Sequence, residues 1–113
     1  MVLLDSDKPS VLCGAANALY NLALDSANAD ELLPLGALPK LCGLLEHESG
    51  DVRAAMTGVL MNVCATSETC RTELGLMRLL PELLKAIAAD KPGENPEVMK
   101  NALGALRDFF IFR

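Results

Sequence analysis

The feature that most constrains the fold is a helical apolar stripe that occurs three times within 113 residues. In the stretch 52–64, apolar residues recur at the spacing that places them on one side of an α-helix. The same pattern occurs 41 residues earlier and 46 residues later. Such a recurrence indicates stacked helical units that bury their faces against one another. The positions are Val11, Ala15, Ala18, Leu19 and Leu22, then Val52, Met56, Val59, Leu60 and Val63, then Val98, Ala102, Ala105, Leu106 and Phe109.

A polar residue stands two positions after the central leucine of each stripe. These residues are Asn21, Asn62 and Asp108. At 100° per residue they lie at the flank of the stripe, which predicts a ladder of polar groups along one surface. Two interpretations stay open. The ladder binds a partner, or each member bonds the backbone of a neighbouring loop.

Composition and charge exclude several classes of function. Of the residues, 51% are hydrophobic but only 4% are aromatic, which suits a helical array. No apolar run reaches the roughly 20 residues that span a membrane, and the first residues do not resemble a signal peptide. We therefore expect a cytoplasmic location, with the nucleus as the alternative. A net charge of −5 argues against nucleic acid as a ligand and fits a basic partner better.

No motif indicates catalysis, a cofactor or a metal. The four cysteines form no CxxC pair and are interpreted as small buried hydrophobic residues. The sequence contains no phosphate-binding loop, nucleophile elbow or dinucleotide fingerprint. We therefore predict no enzyme activity, no cofactor and no metal site. The cysteines are Cys13, Cys42, Cys64 and Cys70.

The chain reads as one domain, 1–113, of about two and two-thirds three-helix units. Residues 1–25 form a partial first unit, 26–66 a second unit, and 67–113 a third unit with a longer loop at 90–96. Pro34 ends a short first helix, and Gly36 permits the change of direction that follows. The second helices carry stripes 42 residues apart, at Leu38, Leu41, Cys42 and Leu45, and at Leu80, Leu83, Leu84 and Ile87.

These units resemble the armadillo repeat. The resemblance rests on the run Asn28-x-x-x-Leu32-x-x-x-Gly36-Ala37-Leu38-Pro39-x-Leu41, followed by Leu44-Leu45 and Val59-Leu60-x-Asn62-Val63, and on Ala18-Leu19-Tyr20-Asn21-Leu22-Ala23. In the last unit Arg78 stands in place of Gly36 and Asp108 in place of Asn, and HEAT repeats are the nearest alternative there. The resemblance implies an all-α, right-handed α-solenoid whose third helices line a concave groove.

The resemblance also implies a protein–protein interaction or scaffold module that binds a protein surface or an extended peptide. The ladder positions carry over as Asn21, Asn62 and Asp108, and Asn17 and Asn101 are further candidates on the same groove. An Asn amide pairs with a peptide unit as both donor and acceptor. Nuclear import adaptors add a Trp one turn before the Asn. Asn17, Gly58 and Gly104 stand there instead, so that mechanism is not expected.

Two alternatives remain open. The chain could be a non-catalytic regulatory segment of a larger enzyme, such as a ubiquitin ligase or a signalling protein. It could also self-associate through uncapped ends, because the first unit is cut and the last ends in an apolar cluster. We expect a segment of a longer array. If the ladder binds a ligand, replacing Asn21 and Asn62 with Ala should weaken binding and leave thermal stability nearly unchanged.

Overall fold

The molecule is built from helices joined by short turns. The computed structural model describes residues 2–77, 79–91 and 93–111, without the side chains of Val2 and Phe109. Over those ranges it contains one short 3₁₀ helix, seven α-helices and no strand, which confirms the predicted all-α class. The 3₁₀ helix is Val2–Asp5, and the α-helices are α1 Pro9–Leu22, α2 Ser26–Asp30, α3 Ala37–Leu44, α4 Gly50–Thr66, α5 Glu68–Leu76, α6 Leu79–Ala89 and α7 Pro96–Ile111.

Helix α4 lies at the centre, with α1 on one side and α7 on the other. Its first turn is capped by Ser49, whose Oγ accepts a hydrogen bond from the backbone N–H of Val52 at 3.4 Å. Its predicted stripe is confirmed, because neighbours cover all five residues completely. These residues are Val52, Met56, Val59, Leu60 and Val63.

The shorter helices are positioned by side-chain caps and one glycine. Asp25 Oδ1 accepts from the N–H groups of Ala27 and Asn28, at 2.9 and 3.3 Å, and so starts α2. Gly36 begins α3 with a φ of 68°, a left-handed conformation that glycine adopts without strain. The predicted change of direction at this residue is confirmed. The predicted stripe of α3 is also buried, at Leu38, Leu41, Cys42 and Leu45.

The stripes of the two outer long helices behave differently from that of α4. In α1, Ala18 and Leu22 are exposed and Val11 is half-buried, so the prediction is wrong for that part of the stripe. Helix α1 has α4 on one side only, and these positions are turned away from it. In α7, Val98, Ala102 and Ala105 are buried and Leu106 is half-buried, as predicted. The side chain of Phe109 lies outside the described part.

The stripe of α6 is also wrong in part. Leu83 is buried as predicted and Ile87 is half-buried, but Leu80 and Leu84 are exposed. Leu79 and Ala86 are buried in their place. The periodicity is correct, but the side of α6 that holds Leu80 and Leu84 is open to solvent. Arg78, which replaces Gly36 in the sequence pattern, lies outside the described residues, and the division into units stays a prediction.

A buried arginine joins the turn before α4 to the turn before α7. Arg53 Nη1 donates to the carbonyls of His47 and Glu48 at 2.8 and 3.0 Å, and Nη2 lies 3.4 Å from Asp90 Oδ1. The Asp90 carboxylate also accepts from the backbone and side-chain N–H groups of Asn95, at 3.2 and 3.1 Å. Both members of the ion pair are largely shielded from water. The two turns are therefore held by hydrogen bonds and by charge.

The thiols are mostly buried, as the sequence predicted. Cys42, Cys64 and Cys70 are buried, and Cys13 is partly exposed. Burial raises the pKa of Cys64 to about 12 and that of Cys42 to about 11. Both thiols are therefore protonated at neutral pH and are not nucleophiles in the folded chain.

The described ranges contain no group of three or more His, Cys, Asp or Glu side chains arranged to hold a metal ion. None of the helices there combines the length and apolar character that a membrane span needs.

Candidate functional site

The three long helices together form an open cleft of about 260 Å³. Each of α1, α4 and α7 contributes to it, so the cleft crosses the whole width of the helical layer. Small residues of α4 make up its middle, and polar or aromatic side chains stand on either side. The lining residues are Ala16, Asn17 and Tyr20 of α1, Ala54, Ala55 and Gly58 of α4, and Glu97 and Asn101 of α7.

Gly58 lies at the floor of this cleft, between Tyr20 and Asn101. A Cβ at this position would lie 3.6 Å from the Tyr20 ring and 3.3 Å from Asn101 Nδ2. A side chain larger than methyl would therefore enter the space between α1 and α7. Since the residue is glycine, the side chains of Tyr20 and Asn101 close over the backbone of α4 at this point, and Gly58 itself is buried.

The polar groups around the cleft are mostly free to accept hydrogen bonds. Asn101 Nδ2 donates to the carbonyl of Ala54 at 3.2 Å, which holds its amide in place and leaves Oδ1 available. Asn17 and Glu97 are exposed. Over the described ranges the Asn17 amide has no hydrogen-bond partner, and the Glu97 carboxylate has no ion-pair partner. The cleft therefore presents unused acceptors and one uncompensated negative charge.

The predicted ladder residue Asn62 has a structural partner. Its side chain is 7% exposed, and Nδ2 donates to the carbonyl of Tyr20 at 3.0 Å. That carbonyl lies in the last turn of α1, where Leu24 N donates to Asn21 O instead of to Tyr20 O. Thr66 Oγ1 donates to the nearby carbonyl of Ala23 at 2.8 Å. Helix α4 thus satisfies the free carbonyl end of α1.

The other two ladder positions differ from Asn62 and from each other. Asn21 is exposed, and its Nδ2 donates to the carbonyl of Asn17 on the same helix at 3.1 Å. Asp108 is 5% exposed and lies 3.2 Å from Arg107 Nε, so it pairs with a base of its own chain. Of the five predicted site residues, the structure brings only Asn17 and Asn101 together in the cleft. The role of all five in binding stays a prediction.

Tyr20 and Glu97 line the cleft but were not among the five predicted site residues. Tyr20 precedes the ladder residue Asn21, and its ring faces Gly58 across the junction between α1 and α4. Glu97 stands four residues before Asn101 and therefore on the same side of α7. That spacing was a usable signal for Glu97. The position of Tyr20 depends on how α4 stacks on α1, which the sequence pattern does not specify.

One comparison with known proteins gives a relative. The chain is 32% identical over 108 residues to Vacuolar protein 8 of Schizosaccharomyces pombe, an armadillo-repeat protein. The match covers 94% of this chain but 18% of the relative, so the chain corresponds to a small part of that protein. No family model matches the chain.

The relative and the all-helical structure agree on the architecture. The described part of the chain is an all-helical α-solenoid, as the sequence predicted, and the relative that matches it along nearly its whole length is an armadillo-repeat protein.

Proposed function

We propose that this chain is a non-catalytic interaction module that binds an extended polypeptide segment in the cleft between α1, α4 and α7. The observation that carries the proposal is the cleft itself, where α1 and α7 expose unused polar groups on either side of the small residues of α4. Amide side chains pair with peptide groups as both donors and acceptors. An extended segment lying across Gly58 would therefore be held by its main chain, as in other modes of peptide recognition.

The chemistry of the cleft favours a basic side chain in that segment. Glu97 supplies a negative charge, and the hydroxyl of Tyr20 and Oδ1 of Asn101 supply further acceptors. No lysine or arginine lines the cleft to compensate Glu97. The alkyl stem of a lysine or arginine would pack on the Tyr20 ring and its cationic end would reach the carboxylate. This agrees with the preference for a basic partner that the net charge suggests.

A selection from displayed random peptides tests the proposal. We expect the retained peptides to be rich in lysine or arginine and to bind the wild-type chain measurably by fluorescence polarisation. Glu97→Gln should weaken their binding about fivefold, since an exposed ion pair contributes up to about 1 kcal/mol. Glu68→Gln is the matched control, because Glu68 is likewise an exposed acid in the first turn of its helix and lies away from the cleft.

Two results would count against the proposal. If no peptide is enriched over empty resin, the proposed binding function is refuted. Equal affinities for the wild type, Glu97→Gln and Asn17→Ala would place any binding outside the cleft. The regulatory role in a larger enzyme stays a prediction, as does the cytoplasmic or nuclear location, which fluorescence microscopy of the tagged chain would determine.

A further inference from the structure

The cleft between α1, α4 and α7 presents an aromatic ring on one wall and two acceptor groups on the other. Tyr20 of α1 is 38% exposed, and one edge of its ring faces Gly58 of α4. The acceptors are Oδ1 of Asn101 and the carboxylate of Glu97, which stand about one helical turn apart on α7. Side chains at this spacing share one side of a helix, with about 5–6 Å between their Cβ atoms. A ligand that enters the cleft therefore meets a stacking surface and a pair of acceptors together.

Both walls are held in place by hydrogen bonds to α4. Asn101 Nδ2 donates to the carbonyl of Ala54 at 3.2 Å, and this bond fixes the direction in which Oδ1 points. On the opposite wall, Asn62 Nδ2 donates to the carbonyl of Tyr20 at 3.0 Å and so ties the backbone that carries the ring to α4. Groups that are already ordered lose less conformational entropy when a ligand binds. The geometry of the cleft is therefore a property of the free chain and can select between ligands.

This arrangement distinguishes the two basic side chains. The guanidinium of arginine is planar, carries five N–H donors in its plane, is weakly hydrated and stacks on aromatic rings. The ammonium of lysine is compact and strongly hydrated, and it does not stack. A guanidinium lying on the Tyr20 ring keeps its in-plane N–H groups free to donate to Glu97 and Asn101 together. An ammonium that pairs with Glu97 leaves the ring and the Asn101 acceptor to water, so it forms fewer charge-assisted hydrogen bonds.

We infer that the cleft recognises an arginine side chain in preference to lysine, with the guanidinium stacked on Tyr20 and donating to Glu97 and Asn101. The inference rests on the proposed peptide-binding function and adds to it the identity of the recognised residue. Glu97 is the one charged residue among those that line the cleft in the described part of the chain. An incoming guanidinium therefore meets an opposite charge there and no like charge from the lining side chains.

A consequence is that methylation of the partner's arginine weakens binding. Asymmetric dimethylation keeps the positive charge but replaces both N–H groups of one terminal nitrogen with methyl groups, which blocks bidentate hydrogen bonding. The modified guanidinium cannot donate from that nitrogen, so it loses one of its two acceptors on α7. A surface that merely attracts positive charge would bind the methylated and unmethylated forms equally. Sensitivity to methylation therefore separates recognition of the N–H donors from attraction to charge.

Synthetic peptide pools test the inference on the wild-type chain. Each pool has random uncharged flanks and one fixed central residue, which is arginine, lysine, asymmetric dimethylarginine or uncharged citrulline. Fluorescence polarisation at physiological ionic strength gives the apparent affinity of the chain for each pool. We expect the arginine pool to bind about fivefold more tightly than the lysine pool, which corresponds to about 1 kcal/mol. The dimethylarginine pool should bind no better than the lysine pool, and the citrulline pool should bind most weakly, since it cannot pair with Glu97.

Two substitutions at one position locate the source of the preference. Tyr20→Leu removes the ring and should bring the affinities for the arginine and lysine pools to within about twofold of each other. Tyr20→Phe is the matched control, because it keeps the ring and removes only the hydroxyl. Its ratio of arginine to lysine affinity should stay near that of the wild type. Circular dichroism verifies that both variants fold, and if Tyr20→Leu does not fold, the pools on the wild-type chain decide the inference alone.

Three results would overturn the inference, and they separate it from the proposed function. Equal affinities for the arginine and lysine pools, both lowered by Glu97→Gln, would leave peptide binding in the cleft intact and refute the preference for arginine. An affinity that dimethylation leaves unchanged would show that the cleft responds to charge alone. If no pool binds, the proposed binding function fails together with this inference.

Discussion

Replacing Asn62 with Ala distinguishes a structural side chain from one that binds a ligand. If the ladder binds a ligand, the sequence predicts that the change weakens binding and leaves stability nearly unchanged. The structure predicts the opposite for stability, because Asn62 Nδ2 donates to a carbonyl of Tyr20 that has no helical partner. Removing the donor from this part-buried hydrogen bond costs about 2 kcal/mol. For a domain of this size, that corresponds to a fall in Tm of roughly 8 °C.

The matched control is Asn17→Ala, which makes the same chemical change at an exposed position whose side chain has no partner in the described ranges. We expect its free energy of unfolding to change by less than about 0.5 kcal/mol. Urea titrations followed by circular dichroism give both values, and fluorescence polarisation gives the affinity for the selected peptides. If Asn62→Ala proves as stable as Asn17→Ala and loses peptide binding, the structural role assigned to Asn62 is refuted.

Three further changes probe the backbone, the buried charge and the thiols. Arg53→Met should lower the free energy of unfolding by about 3 kcal/mol in urea titrations, because Asp90 would keep a largely buried charge without its base. Gly36→Ala should cost about 1 kcal/mol in the same measurement, since its φ of 68° is unfavourable for other residues; an equal stability would mean that this turn relaxes. Above pH 9 the thiol of Cys64 ionises in the unfolded chain while burial keeps it protonated in the folded chain, so stability should fall as pH rises from 9 towards 12. The fall should be smaller in Cys64→Ala, and identical slopes of the urea midpoint against pH would contradict this reasoning.

The sequence predicted the helices and the middle of the core better than the outer faces. Val52, Val59 and Val63 are buried as expected, because α4 has neighbours on both sides. Periodicity identifies which residues share one side of a helix, but not which side is covered. Leu22 and Leu84 share their patterns with buried counterparts and yet are exposed, since the sides of α1 and α6 that hold them are open to solvent.

The candidate site was predictable only in part, for a related reason. Asn17 and Asn101 were identified from their helical positions, and both line the cleft. Tyr20 was not identified, because the packing of α4 on α1 determines whether its ring lies in the cleft. The structural partner of Asn62 could not be predicted from the sequence either. The sequence pattern of a polar residue at the flank of a stripe is the same whether that residue bonds a ligand or a neighbouring helix.

The buried pair of Arg53 and Asp90 has a consequence for how the chain unfolds. In a solenoid, the balance between the stability of single units and the coupling of neighbours determines whether units melt one by one or together. The guanidinium belongs to the first turn of α4 and the carboxylate to the turn before α7, so neither segment can open without leaving a lone charge in the other. Coupling of this kind makes partly melted forms rare, and a single sharp transition is the behaviour to expect from calorimetry.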